Sequence, residues 1–419
     1  MSLRRVAITG LGVVSPYGGT VDAFFGHMLA GRSAVQLLQT EDKPRPLRMP
    51  FVTCHAFDPA ESLGKPLAGM MERFAHLGVS AAFGAWQDAG LPREAADPVE
   101  RENWACVWGT ALGGVLAFEK GYRDFWQNGR DRLSPLAVVM GMNNAVNAHL
   151  SIQLGLGGLS MSHTVACASS SVAIGEAFRR VRSGDATVAI TGGSDATHAY
   201  GVARAWEAMR LIAPGNEETA PMACRPFAAD RAGLVLGEGG AAMVLEDWDH
   251  AVSRGARIHA EIVGYGASCD RSHLVRPESG GQVRALRAAL ADGGLNTDEI
   301  GYVNAHGTAT VEGDPVEISA LREVFGDRAA GLPVSATKSM HGHLLGAAGA
   351  IEALATVLAL REQALPPTAH LKGRLDPACE GVDHVLEGRE GVPLQAAISN
   401  SFAFGGSNAV LAFRAAPTN

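Results

Sequence analysis

Short apolar runs rich in β-branched residues and bounded by glycine recur along the chain: Val6 to Thr9, Val107 to Gly109, Thr187 to Thr191, Ile258 to Gly264, Ile300 to Asn304, Ala396 to Ser399 and Ala409 to Phe413. Longer stretches with apolar residues at helical spacing lie between many of them. A strand covered on both faces reads as an unbroken apolar run, so this alternation predicts an α/β fold with largely buried sheets. Gly is frequent, with 51 in 419 residues, and many close an apolar run as Thr191-Gly192-Gly193-Ser194 does, which places tight turns after strands. A chain of this length exceeds one compact core, so two packed halves are expected.

Two strand-to-helix transitions resemble each other. Ser162 to Ala166 leads into Cys167 and a helix with Ile174, Ala177, Phe178 and Val181 on one face. Leu332 to Thr337 leads through Lys338 and His343 into Ile351, Leu354, Ala355 and Leu358, at the same spacing. Each is followed by a strand with a Gly pair, Gly192-Gly193 and Gly405-Gly406. The pattern points to an internal duplication with halves at residues 1–252 and 253–419. The polar stretch Glu41 to Arg48 reads as a surface excursion.

A net charge of -8 argues against nucleic-acid binding, which needs a basic face. No apolar run approaches the roughly 18 residues that span a bilayer. The six cysteines are scattered without a CxxC pair, as expected of a chain in a reducing compartment, and the cytoplasm is the expected location. The opening Val6 to Val14 loosely imitates a signal peptide, but Gly10 and Gly12 break its apolar run. Gly10-Leu-Gly12 makes a weak dinucleotide signal because Ser15 replaces the third glycine.

Cys167 stands between an apolar strand and an amphipathic helix, followed by Ala168 and three serines that can satisfy the helix's free N-H groups. The positive end of the helix would lower the thiol pKa and supply an oxyanion site, whereas a buried structural cysteine is the alternative. His306 ends an apolar strand before Gly307, at the edge where open α/β sheets bind ligands. Lys338 and His343 lie in a run of small residues that opens a helix, with Asp314, Glu317 and Glu352 as partners able to keep the lysine charged. Reading His341-Gly-His343 as a metal site, with His306 or His273 and Asp314, is disfavoured because it lacks the i, i+4 spacing of helical ligands.

Taken together, Val165-Ala-Cys167-Ala-Ser-Ser, His306-Gly-Thr-Ala-Thr and Lys338 to Gly349 resemble the three signature motifs of elongating β-ketoacyl-ACP synthases. Arg225 to Gly239 and Asn400 to Asn408 also resemble family segments, so the likeness covers nearly the whole chain. It implies a duplicated thiolase-like fold of five αβαβα layers with mixed sheets, usually dimeric, and a decarboxylative Claisen condensation without a cofactor or metal of its own. Cys167 would carry the acyl chain, with the N-H groups of Cys167 and Phe404 as oxyanion hole. His306 and His343 would stabilise the malonyl enolate, while Lys338, Asp314 and Glu352 would form the supporting network.

The resemblance also implies an acyl carrier protein as partner, delivering phosphopantetheine-borne substrates, with Lys65, Arg130, Arg132 and Arg210 as docking candidates. Thr308 and Val275 would meet the pantetheine arm, Val275 standing where the family often has Thr. Leu112, Met140, Met142, Trp206 and Phe402 would line the acyl and gating region, and Ala403 replaces a gate glycine, an exchange expected to resist a positive φ. Fatty-acid and type II polyketide or polyene elongation both fit these motifs, in a homodimer or in a heterodimer with a chain-length-factor-like homologue. A degradative thiolase would need a second catalytic cysteine, a cysteine hydrolase leaves His343 and Lys338 without a role, and a noncatalytic acyl-carrier-binding subunit would tolerate Cys167→Ser.

Overall fold

The computed structural model describes residues 3–41 and 45–417, so residues 42–44 of the polar stretch lie outside the described residues. Eleven strands build the main sheet: β1 (Val6–Val14), β2 (Ala105–Gly109), β3 (Ser160–His163), β4 (Val188–Asp195), β5 (Gly239–Asp247), β6 (Ala260–Cys269), β7 (Ile300–Asn304), β8 (Pro333–Ser335), β9 (Asp383–His384), β10 (Ala396–Ala403) and β11 (Ser407–Ala415). Five helices bear on the argument: α1 (Arg73–Asp88), α2 (Ser169–Ser183), α3 (Ser279–Asp292), α4 (Gly313–Phe325) and α5 (Ala348–Glu362).

Across the sheet the order is β9-β8-β7-β10-β11-β6-β1-β5-β4-β2-β3. With the short edge strand β9 set aside, each half runs third, second, fourth, fifth, first in its own chain order. Directions repeat too. β2 is parallel to β3 and β4, and the β4–β5 and β5–β1 pairs are antiparallel. β7 is parallel to β8 and β10, and the β10–β11 and β11–β6 pairs are antiparallel. The halves join along a short antiparallel ladder from Val6 opposite Ile262 to Ile8 opposite Ala260.

Layering follows from which faces are apolar. α2 and α5 share the central core, where Ile174 and Phe178 pack with Leu354, Leu358, Met243 and Leu411. α1 covers the outer face of the first half through Leu77, Ala81 and Ala85, while α3 and α4 cover the second through Leu286 and Leu321. Every residue from Ala348 to Leu360 is buried, because α5 lies between two sheet halves and has no wet face.

Gly10-Leu-Gly12 lies inside β1, which continues to Val14. A Cβ on Gly10 or Gly12 would stand 2.1 or 2.0 Å from a carbonyl oxygen of α1. Gly264 and Gly266 of β6 meet α3 in the same way, at 2.3 and 2.1 Å. Both pairs therefore seat an outer helix on the first strand of a half, and no phosphate-binding turn forms there.

Candidate active site

Cys167 sits on the elbow between β3 and α2. Ala166 just before it is held at φ 46°, a left-handed conformation that costs an alanine about 1 kcal/mol. No side chain caps α2. The three serines expected to cap it do other work: Ser169 Oγ accepts from Val165 N and donates to Ala166 O, Ser170 Oγ accepts from Ala350 N, and Ser171 Oγ meets Ser401 Oγ. They brace the elbow and tie α2 to the second half, leaving the helix's first N-H groups uncapped by side chains beside Cys167.

His343 Nε2 lies 3.0 Å from Cys167 Sγ. Leu345 N-H donates to His343 Nδ1 at 3.3 Å, so the ring proton resides on Nε2, facing the sulfur. The His306 ring stands edge to face with it, centroids 5.5 Å apart, and Phe402 flanks His306 at 6.0 Å. Lys338, fully buried, donates to His306 O at 2.6 Å, reaches His306 Nδ1 at 3.2 Å and forms an ion pair with Glu352. Donation to Nδ1 places the proton of His306 on Nε2 as well.

The electrostatics differ from expectation at the thiol. Burial pushes Cys167 up to about 12, against the nearby Lys338 charge and the Phe404 N-H directed at it, both of which pull it down. A site enclosed enough to protect a carbanion is dry enough to disfavour a resting thiolate. Burial, joined by the Lys338 charge, holds His306 and His343 well below the usual histidine range, so both rings are neutral hydrogen-bond donors. Burial raises Glu352 to about 7 even though Lys338 favours its charged form.

The other expected site residues divide into those at the cavity and those away from it. A cavity of about 460 Å³ leads to Cys167, lined by His306, His343, Phe402, Phe404, Trp206, Thr308, Val275 and Arg210. Trp206 stacks on the Phe404 ring at 5.8 Å, and Leu112 packs in the apolar cluster around Cys167. Met142 is 37% exposed and Met140 is half-buried, and neither lines the cavity; Met140 lies in the short helix Ala137–Gly141, which packs on Phe118, and Met142 follows it. Lys65, Arg130 and Arg132 are exposed away from the cavity, Arg130 being paired with Asp124.

Asp314 does not touch Lys338; its Oδ2 accepts from Phe227 N and lies 3.6 Å from Arg231. Ala403 has φ -121°, so the gate asks nothing unusual of it, and the positive φ angles fall on Gly405 and Gly406. His341 turns away from His343, with Nδ1 near Gly342 O and Nε2 near Thr337 Oγ1. No group of three or more metal-ligating side chains occurs among the described residues.

Glu317 has a larger part than sequence reasoning assigned it. Its carboxylate accepts the N-H groups of His306 and Gly307, each at 2.8 Å, and Asn400 Nδ2 at 3.0 Å, holding the His306 turn by its backbone. The available signal was its place on the buried face of α4 with Ile318 and Leu321. Asp195, which ends β4, also escaped notice; it accepts four hydrogen bonds, from the loop after β2 and from the turn after His343.

A thiol on a helix-start elbow, two neutral imidazole donors and a cavity leading to them define a condensing acyltransferase. The chain matches the N-terminal β-ketoacyl synthase domain over residues 3–251 and the C-terminal domain over residues 259–372, and it belongs to the β-ketoacyl synthase family. It is similar to nodulation protein E of Rhizobium sp. (strain N33), 40% identical over 98% of this chain and 99% of the relative. It is also similar to 3-oxoacyl-[acyl-carrier-protein] synthase 2 of Vibrio cholerae, 37% identical over 99% of this chain and 100% of that one. Among solved structures it resembles a β-ketoacyl synthase from Burkholderia phymatum, with 33% identity, a TM-score of 0.90 and coverage of 99% of this chain and 100% of that one. The ishigamide ketosynthase/chain length factor is similar at 30% identity and a TM-score of 0.87, over 99% and 100% of the two chains. The fold is thus thiolase-like and the activity that of a β-ketoacyl-ACP synthase.

Proposed function

We propose that Cys167 accepts an acyl group from acyl carrier protein by thioester exchange, releasing the carrier thiol, and that His306 and His343 then serve malonyl-ACP. Loss of carbon dioxide from the malonyl group leaves an enolate, whose oxygen receives the two Nε2-H groups. Its carbon attacks the Cys167 thioester, and the tetrahedral oxyanion is met by the N-H groups of Cys167 and Phe404. Collapse expels the Cys167 sulfur and leaves a β-ketoacyl chain, two carbons longer, on the carrier. The observation that carries this reading is the convergence of both Nε2-H tautomers, one of them 3.0 Å from the sulfur, on one cavity that also reaches Cys167. Trp206 and Phe404 bound the acyl chain, and Arg210 at the cavity lining is the docking cation for an acidic carrier.

A second chain completes the working enzyme. β3 is the sheet's edge strand, and Phe118, Tyr122, Phe125, Trp126, Leu136, Val138 and Val139 are exposed on the segment between β2 and β3. That much exposed apolar surface favours a partner. A chain-length-factor-like homologue is the second reading, supported by the similarity to the ishigamide assembly. The reducing cytoplasm, in which Cys167 stays a free thiol, is the compartment we assign.

Intact-mass detection of an acyl adduct on Cys167, followed by carbon dioxide release from malonyl-ACP, tests the reaction. An adduct on another cysteine, or none, overturns it.

A further inference from the structure

Asp195 ends β4 fully buried, and its carboxylate is saturated. Oδ1 accepts the Thr110 hydroxyl at 2.8 Å and Leu112 N-H at 3.2 Å; Oδ2 accepts Ala111 N-H at 2.8 Å and Gly346 N-H at 2.7 Å. Three of the four donors belong to the loop after β2. The fourth belongs to the turn that follows His343, more than 150 residues away in the chain.

That turn is unusual in itself. Leu345, 3% exposed, has φ 46°, a left-handed conformation that a leucine holds only where its surroundings over-determine it. Two hydrogen bonds do so: its own N-H donates to His343 Nδ1, and the next N-H, of Gly346, donates to Asp195. A Cβ on Gly346 would stand 2.5 Å from Asp195 Oδ2 and 2.2 Å from Ala111 N, so the contact is built for a bare backbone.

We propose that Asp195 is a positioning residue for the condensation step: by clamping Gly346 it keeps Leu345 left-handed, and Leu345 N-H in turn keeps the His343 proton on Nε2. This rests on the reading of His343 as an enolate donor. Replacing the carboxylate by an amide sets an NH2 group against backbone N-H donors. The turn then relaxes, Leu345 N-H leaves Nδ1, and the imidazole is free to move its proton away from the enolate oxygen. None of the four donors to Asp195 belongs to Cys167, so acyl transfer to the sulfur does not draw on the clamp. Loosening the clamp therefore separates the two half-reactions.

The experiment compares wild type with Asp195→Asn in two assays: the rate of acyl adduct formation on Cys167 from acyl-ACP, and carbon dioxide release from malonyl-ACP by the acylated enzyme. The expected result is acylation within about threefold of wild type or faster, with decarboxylation and condensation slower by about 100-fold, the scale of an ångström's misplacement of a catalytic group. Equal losses in both assays, or no loss in either, overturn the proposal. Should Asp195→Asn fail to fold, Thr110→Val removes one donor to the carboxylate and leaves the backbone donors in place; a condensation-selective loss of about 10-fold is expected from the same misplacement, and an unselective one overturns the proposal. A His343→Ala variant that acylates Cys167 and condenses at the wild-type rate would instead overturn the underlying role of His343.

Discussion

His343 Nε2 meets Cys167 Sγ at 3.0 Å although 176 positions separate the two residues in the chain. The contact exists because each lies between the third strand of its half and the central helix that follows, and the duplicated sheet brings those two connections together. His343→Ala is expected to leave Cys167 acylation within a few-fold of wild type and to slow carbon dioxide release by about 100- to 1,000-fold, the loss typical of one oxyanion donor. Separate assays of the two half-reactions check this.

Buried at neutral charge, the Cys167 thiol titrates far above an ordinary cysteine, at about 12. Its reaction with iodoacetamide is expected to keep climbing from pH 8 to 10 without levelling near 9, since only a small thiolate fraction forms below 12. A plateau near pH 9 in rates read by peptide mass would contradict the burial argument.

Lys338 and Glu352 are both fully buried and paired. Glu352→Ala leaves an uncompensated ammonium in the core, expected to destabilise the protein by about 3 kcal/mol or more, whereas removing a charge from the exposed, solvent-screened Arg130–Asp124 pair should leave the melting temperature nearly unchanged. Thermal melts of Glu352→Ala and Arg130→Ala measure the contrast.

Glu72 caps α1 through Phe74 N, and burial pushes its carboxyl from 4.5 up to about 8. The folded state holds this proton more tightly than the unfolded chain. Its contribution to stability is therefore complete below pH 4.5 and is lost as pH rises through the window to about 8. Glu72→Gln carries no proton to lose, so its melting temperature should fall less between pH 5 and 8 than that of wild type; parallel curves would refute the assignment.

Arg210 lines the cavity, and reversing its charge should act on docking alone. Arg210→Glu is expected to raise KM for ACP-borne substrates by about 10-fold, or about 1.4 kcal/mol, while leaving turnover of a small acyl thioester unchanged. Equal loss on both substrates would place Arg210 in the chemistry instead.

Much of this site was legible in the residues. Cys167, His306, Lys338 and His343 stand at strand ends and helix starts that apolar periodicity marks locally, and their order matches the family motifs. Other assignments failed where the answer depended on distant neighbours. Ala403 looked strained only until its φ of -121° showed the left-handed positions to be Gly405 and Gly406. The serines after Cys167 looked like caps, but partners from the second half, Ala350 and Ser401, claim two of them.

Chain order and periodicity by themselves determined the α/β class and pointed to the internal repeat, because these depend on spacing within a few turns or strands, and the likeness to the family motifs singled out the thiol, imidazoles and amine. The tertiary structure alone decided which nitrogen of each histidine carries its proton, which acid holds which turn, and that the thiol is raised and not lowered. Most of those properties are set by burial and by hydrogen bonds between residues tens to hundreds of positions apart, as Asp195 to Gly346 and Glu317 to Asn400 are, and even the local Leu345 to His343 bond depends on a turn held from a distance. No local pattern encodes them, since each partner meets the other only once the chain has packed, within one half for Glu317 and Asn400 and across the two for Asp195 and Gly346.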